Sequence, residues 1–358
     1  MPDAGAMRPA HLALAVLVAA VWGVNFVVIE VGLGHFPPLL FCALRFLAAA
    51  VPAVFFVRRP GVPPRRIVAV GLVLGVAKFG LLFIGMDQGM PAGLSSLVLQ
   101  VQAVFTALLA VALLGERPGR LRTAGMGFAF AGIAVAAYDE GASGPIGAFV
   151  LVVAAAAFWG LSNVLTRRAA PPDALSWMVW VSLVPPLPLL ALSLVVEGPA
   201  ADVAALRGLD WSGAGAILYV AWITTVFGFG AWGFLLRTYD ASAVAPFSLL
   251  VPVFGMTSAA MLLDEGAGPL RWTAAVLLVG GVGVTSLGSL GSLGSPGSIR
   301  PGRGAGAGEG EGARLRRTRR AAAADAHAPA TAAPAAPAPA GTGASRTPSR
   351  ASRPSPRD

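Results

Sequence analysis

Residues 90 to 137 lie over residues 239 to 286 without a gap, and both copies close on one pattern. It reads Leu113-Leu114-x-Glu116-x-x-Gly119-x-Leu121-Arg122 in the first and Leu262-Leu263-x-Glu265-x-x-Gly268-x-Leu270-Arg271 in the second. The chain is an internal duplication. A helix needs about 20 apolar residues to cover roughly 30 Å of hydrocarbon. Stretches of that kind run over 11 to 33, 36 to 57, 66 to 88, 91 to 114, 121 to 138, 145 to 167, 174 to 196, 212 to 236, 241 to 263 and 270 to 290, five in each half. An odd number of crossings inserts the second half upside down relative to the first, the arrangement secondary carriers use for alternating access. The runs are continuously apolar rather than alternating every second residue, which argues against strands. The expected fold is an all-α polytopic membrane protein with ten transmembrane helices in two inverted five-helix repeats, 1 to 138 and 139 to 290.

Composition agrees with a bilayer: 56% of residues are hydrophobic, 12% are charged and the mean hydropathy is +0.74, too little polar surface for a soluble globule. The first span is too long for a signal-peptide core and is followed at once by another crossing. The single cysteine, Cys42, allows no intrachain disulfide and no cysteine metal cluster, and reads as packing. Of the 26 basic residues, 11 lie beyond residue 299, so the net charge of +9 belongs largely to a Gly/Ser then Ala/Pro/Arg segment at 291 to 358. That composition cannot bury a core and predicts a disordered cytoplasmic tail, with no nucleic-acid partner implied. Orientation follows from arginines in short loops. Arg8, Arg58, Arg59, Arg65, Arg66, Arg117, Arg120, Arg122, Arg167, Arg168 and Arg237 fall on one side, against Arg207 and Arg271 on the other. Both termini are therefore expected in the cytoplasm.

The repeats also open alike, Val21-Trp22-Gly23-Val24-Asn25 against Phe158-Trp159-Gly160-Leu161-Ser162-Asn163. The offset is 137 residues at these openings and 149 at the endings, which places about twelve extra residues in the loop at 197 to 211. Two full charges fall where hydrocarbon should be. Arg45 and Lys78, the latter the only lysine, each lie twelve residues from the cytoplasmic end of their spans, about 18 Å deep at 1.5 Å per residue. Each costs at least about 2.5 to 3.5 kcal/mol there unless it meets water or a partner. No Asp or Glu sits at matching depth, since Glu30 and Asp87 are near the span ends, so the two cations suggest a site for an anionic group such as a substrate carboxylate. The competing reading is that Arg45 ties down backbone carbonyls and Lys78 reaches a hydrated vestibule. Ser95, Gln102 and Thr106 form a polar stripe on one face of the fourth span, and Gln100 points nearly the opposite way; such stripes serve as cavity lining or as interhelical glue. Trp22, Asn25, Trp159 and Asn163 are mid-membrane candidates for the same lining. Pro52, Pro185, Pro186, Pro188, Pro246 and Pro252 mark places where helices can bend. Glu116 and Glu265 read as turn and cap residues. Gly71-x-x-x-Gly75 permits close helix contact.

A phosphate-binding loop needs Gly-Lys-Ser/Thr, and the one lysine follows Ala77. Three histidines and no HExxH give no usual zinc site. No enzyme, cofactor or metal is expected.

The segments Trp22 to Ile29, Pro37-Pro38 through Arg45-Phe46, Gly89 to Thr106, Gly115-Glu116, and Ala245 to Val253 through Asp264-Glu265 together resemble the EamA family of the drug/metabolite transporter superfamily, over about residues 8 to 290. Within it, the fourth and ninth spans read most like O-acetylserine/cysteine exporters. The resemblance implies a carrier with a central cavity, peripheral fifth and tenth helices, and export of small amino-acid metabolites on an electrochemical gradient. The implied partners are a small-molecule substrate and the lipid bilayer, and a homodimer is allowed. Lys78 departs from the neutral polar residue such exporters are expected to carry, which would shift the substrate toward more acidic metabolites. A carrier of the same fold for drugs or sugar phosphates, and a non-transporting scaffold, are the alternatives; resistance of cells to excess cysteine separates the first and solute flux in proteoliposomes the second.

Overall fold

The computed structural model describes residues 7–115, 119–143, 145–266 and 268–293. Glu116 and the segment from residue 294 onward lie outside the described residues. Everything described is helix or short connection, with no strand among the described residues. The helices are α1 (Pro9–Leu33), α2 (Pro38–Ala53), α3 (Pro64–Asp87), α4 (Ala92–Leu114), α5 (Arg120–Ser143), α6 (Ile146–Ala169), α7 (Ala174–Val196), α8 (Pro199–Arg207), α9 (Trp211–Thr238), α10 (Ala245–Leu262) and α11 (Pro269–Leu293). Eight are long and apolar enough to cross a membrane; α2 and the apolar part of α11 are shorter apolar helices that complete the ten spans. Pro9, Pro38 and Pro64 open α1, α2 and α3, positions where the missing N–H has no helical partner to lose. The extra residues of the second half fold as α8, tied to the end of α7 by Ser193 Oγ, which donates to Asp202 Oδ1 at 2.8 Å.

Packing reveals the duplication in space. α1 packs on α9 and α10, while α6 packs on α3 and α4, the same relation with the repeats exchanged. Equivalent helices meet each other: α2 with α7, α4 with α10, and α5 with α11. At the last of these, a Cβ on Gly281 would stand 2.4 Å from the Ala129 nitrogen, and one on Gly132 would stand 2.7 Å from the Leu278 nitrogen. Adding the repeat offset to 129 and 132 returns 278 and 281, so the two contacts are one contact seen twice about a pseudo-two-fold axis. A Cβ on Gly125 would likewise meet the Thr285 nitrogen at 2.5 Å. Numbers rise along α5 as they fall along α11, so the helices are antiparallel. Repeats related in this way are inverted.

Helix irregularities also come in pairs. α3 is wound as π-helix over Gly71–Phe79 and α9 over Tyr219–Phe227, each giving way to a glycine, Gly80 and Gly228, at the return to α-helix. α4 tightens to 3-10 over Leu99–Val101 and α10 over Ala245–Leu250. The second of these follows from Pro246, which removes a donor, whereas no proline marks either π segment. α7 breaks between Ser182 and Pro186, and Pro185 there sits where a Cβ on Gly75 would be 1.9 Å from its Cγ. Pro52, by contrast, lies inside the last turn of α2 without interrupting it.

Candidate functional site

Arg45 lies halfway along α2 and Lys78 near the end of the π segment of α3; they are 3% and 4% exposed. Both turn onto one ring. The Arg45 guanidinium carbon is 4.0 Å, and Lys78 Nζ 3.2 Å, from the centroid of Phe79. Phe46 at 4.8 Å and Phe83 at 5.8 Å complete the aromatic wall around Arg45, and Trp159 of α6 stands 4.5 Å from Lys78 Nζ. A cation over a desolvated ring gains about 2 kcal/mol, which offsets part of the insertion cost of each charge. It does not remove the repulsion between them.

Arg45 Nη2 donates to Thr225 Oγ1 of α9 at 3.2 Å, while Nε and Nη1 are buried without an acceptor. Thr225 is presented by the π segment, where its hydroxyl and that of Thr224 donate back to the Val220 carbonyl at 2.9 and 2.6 Å. The ion pairs among the described residues, His35 with Asp210, Arg237 with Asp173, and Arg271 with Asp139 and Glu140, include neither Arg45 nor Lys78. The two buried cations thus share the Phe79 ring with no counter-ion among the described residues. Cys42, one turn from Arg45, is buried with its thiol directed at the Gly75 carbonyl, a packing role.

The two tryptophans play matching parts. Trp22 of α1 donates from Nε1 to the Thr224 carbonyl at 3.0 Å and lies over Gly228, where a Cβ would be 2.5 Å from that nitrogen. Trp159 of α6 lies against Lys78 in the other π segment. Each repeat therefore inserts its opening tryptophan at the irregular turn of the other repeat. A widened π turn leaves carbonyls and side chains open to such insertion.

Gln102 and Asn163 meet each other. Asn163 Nδ2 donates to Gln102 Oε1 at 2.7 Å and to Thr106 Oγ1 at 3.1 Å, a clamp between α6 and α4 that Gly160 allows by its close approach to the Thr106 backbone. Here the glue reading of the polar stripe describes the contact. Gln100 donates to the Ser248 carbonyl at 3.1 Å, joining the two 3-10 segments. Ser95 Oγ and Asn25 Oδ1 are buried without partners. Glu265 caps a helix other than its own, accepting from the Ala92 and Gly93 nitrogens at 2.7 and 3.0 Å at the start of α4. Glu197 does the same for α2 through Leu39 and Leu40 at 2.7 and 3.2 Å. Aromatic rings of Phe46, Phe79, Phe83 and Trp159 stand around Arg45 and Lys78, where the resemblance implied a central cavity. The pocket lined by Gly93, Leu94, Met256, Glu265, Gly266 and Arg271 contains none of the expected site residues. Thr225, Phe79 and Phe83 were missed by reasoning from sequence; the adjacent Thr224-Thr225 pair inside an apolar run was the available signal.

Comparison with known proteins bears on this arrangement. The chain is 41% identical over 281 residues to a probable amino-acid metabolite efflux pump of Escherichia coli (strain K12), covering 77% of this chain and 94% of that protein. It is 27% identical to a probable terminal-alkyne amino-acid exporter of Streptantibioticus cattleyicolor, over 75% of this chain and 90% of that one. A crystal structure with 18% identity matches at a TM-score of 0.55 across 81% of this chain and all of that chain, a likeness of fold alone. The model of the EamA-like transporter family matches twice, over residues 10–138 and 146–287. With two matched repeats, ten apolar spans and a relative of this identity, the chain belongs to the EamA-like transporter family and is a multi-pass membrane transporter rather than an enzyme.

Proposed function

We propose that the protein exports small amino-acid metabolites across the cytoplasmic membrane by rocking one inverted repeat against the other, with both termini in the cytoplasm. The observation that carries the reading is the Arg45 and Lys78 pair, buried at mid-span without a counter-ion and walled by Phe79 and Trp159. A carboxylate entering beside them would accept from the Arg45 Nε and Nη1 groups that have no acceptor in the structure. Trp22, Trp159, Asn25, Gln102 and Asn163 contribute the aromatic and polar wall of the opened site. The names of the relatives supply the substrate class, and Thr225 ties the cation of one repeat to the irregular helix of the other.

Efflux of a radiolabelled amino-acid metabolite from cells is the test. Arg45→Ala should cut efflux about a hundredfold, since truncating a buried charged contact costs about 2 to 5 kcal/mol. Lys78→Ala should cut it by a smaller factor. Normal efflux in both variants, at equal membrane abundance, would remove the pair from the site.

A further inference from the structure

We infer that the transported metabolite carries two anionic groups and no exposed ammonium: a small dianion such as a dicarboxylate or an acidic amino acid whose amine is masked. The inference rests on the site proposed above and narrows its substrate class.

Three observations lead to it. Arg45 and Lys78 share the Phe79 ring, so their charged groups stand no farther apart than the two ring distances allow. Neither takes part in a described ion pair, and the hydrogen-bond partner of Arg45 among the described residues is the Thr225 hydroxyl. The walls are Phe46, Phe79, Phe83 and Trp159, which offer π faces and no carboxylate.

A zwitterion would answer one cation with its carboxylate and bring an ammonium into a chamber that already holds two positive charges. The complex would remain net positive at the middle of the bilayer, where uncompensated charge is most costly. A monoanion leaves one charge over. A dianion leaves none, and only a charge-matched complex passes through the closed, water-poor state at low cost. Specificity here comes as much from repelling the ammonium as from attracting the second anionic group. The two ring distances cap the separation of the cations at about 7 Å, which asks for anionic groups a few carbons apart, the spacing of a four-carbon diacid.

Flux of radiolabelled N-acetylaspartate and radiolabelled serine into proteoliposomes of the purified protein, in counterflow with the same unlabelled compound inside, reads the preference. The wild type should carry the dianion about tenfold faster than serine, the factor that one lost charge-assisted contact represents. Lys78→Gln should lower the ratio of dianion to serine flux about tenfold, and Lys78→Arg should restore most of it, a rescue that a purely structural lysine would not show. Serine moving as fast as the dianion, or a ratio unmoved by Lys78→Gln, would overturn the inference while an Arg45-dependent serine flux kept the exporter reading intact. Failure of folded, monodisperse wild-type protein to move either compound would count against both.

Discussion

Lys78 shows how a single residue works against the stability of the bundle. An ammonium held between Phe79 and Trp159 with no ion pair is buried at a penalty that the ring contacts only partly offset. Lys78→Met keeps the volume and removes the charge, so it should raise stability in detergent by about 1 to 3 kcal/mol while lowering transport. A thermal melt alongside an efflux assay checks both halves; a variant that melts lower would mean Lys78 is satisfied in the native state. Asn163 makes the opposite prediction. Its two hydrogen bonds to Gln102 and Thr106 join α6 to α4, and interhelical bonds of this kind contribute about 0.6 to 2 kcal/mol each. Asn163→Ala should therefore destabilise by about 1 to 2 kcal/mol and leave the preference between differently charged substrates where it was. The place of Arg45 and Lys78 midway along their helices was legible from counting residues. Their meeting on one ring was not, because the rotation of α2 against α3 is set by packing that no local pattern encodes.

Among elements, the irregular helices divide into those with a sequence cause and those without. Pro185 and Pro186 announce the break in α7 and Pro246 the 3-10 turn in α10, since each deletes a backbone donor. The π segments of α3 and α9 contain no proline and were invisible until folded; Tyr219 and Trp22 tie the one in α9 to α1, and Arg45 of α2 reaches its Thr225. The crossed caps are equally non-local. Glu265 was legible as a capping residue, but the helix it caps, α4, begins 173 residues away. Removing it as Glu265→Ala should cost about 1 to 2 kcal/mol, the range for a lost helix cap, and the loss should appear in hydrogen exchange at Ala92 and Gly93 first. At the start of α9, the Gly213 amide holds the Asp210 carboxyl below its ordinary value. A depressed carboxylate stabilises above its unfolded value of 3.8 and loses that contribution as pH falls further through the folded one. Asp210→Asn should flatten that acid limb of a melting profile. Protection at the start of α9 that is indifferent to pH would deny the cap its charge.

At the scale of the whole molecule, inversion was readable before any coordinates, because five crossings per copy leave no other way to insert the second. The glycine contacts of α5 with α11 then express the same symmetry in packing, and Gly281→Leu should separate these helices and destabilise the protein more than Gly280→Leu, whose added Cβ would meet open space. Melting temperatures of the two variants decide that comparison. The proposed orientation is tested in a background where buried Cys42 is replaced by serine. An impermeant maleimide should then label Arg207→Cys from outside cells and leave Arg59→Cys unlabelled, and the reverse pattern would turn the molecule over. Both buried cations ride on the first repeat, at Arg45 and Lys78, while the second presents hydroxyls in the matching turn. An unfilled carrier is then a charged body in an electric field, and a full crossing of 100 mV is worth about 2.3 kcal/mol per charge. In the proposed export cycle, with the cell interior negative, voltage would draw the vacant site back toward the side where cargo waits, so the resting potential itself would reset the machine for its next load.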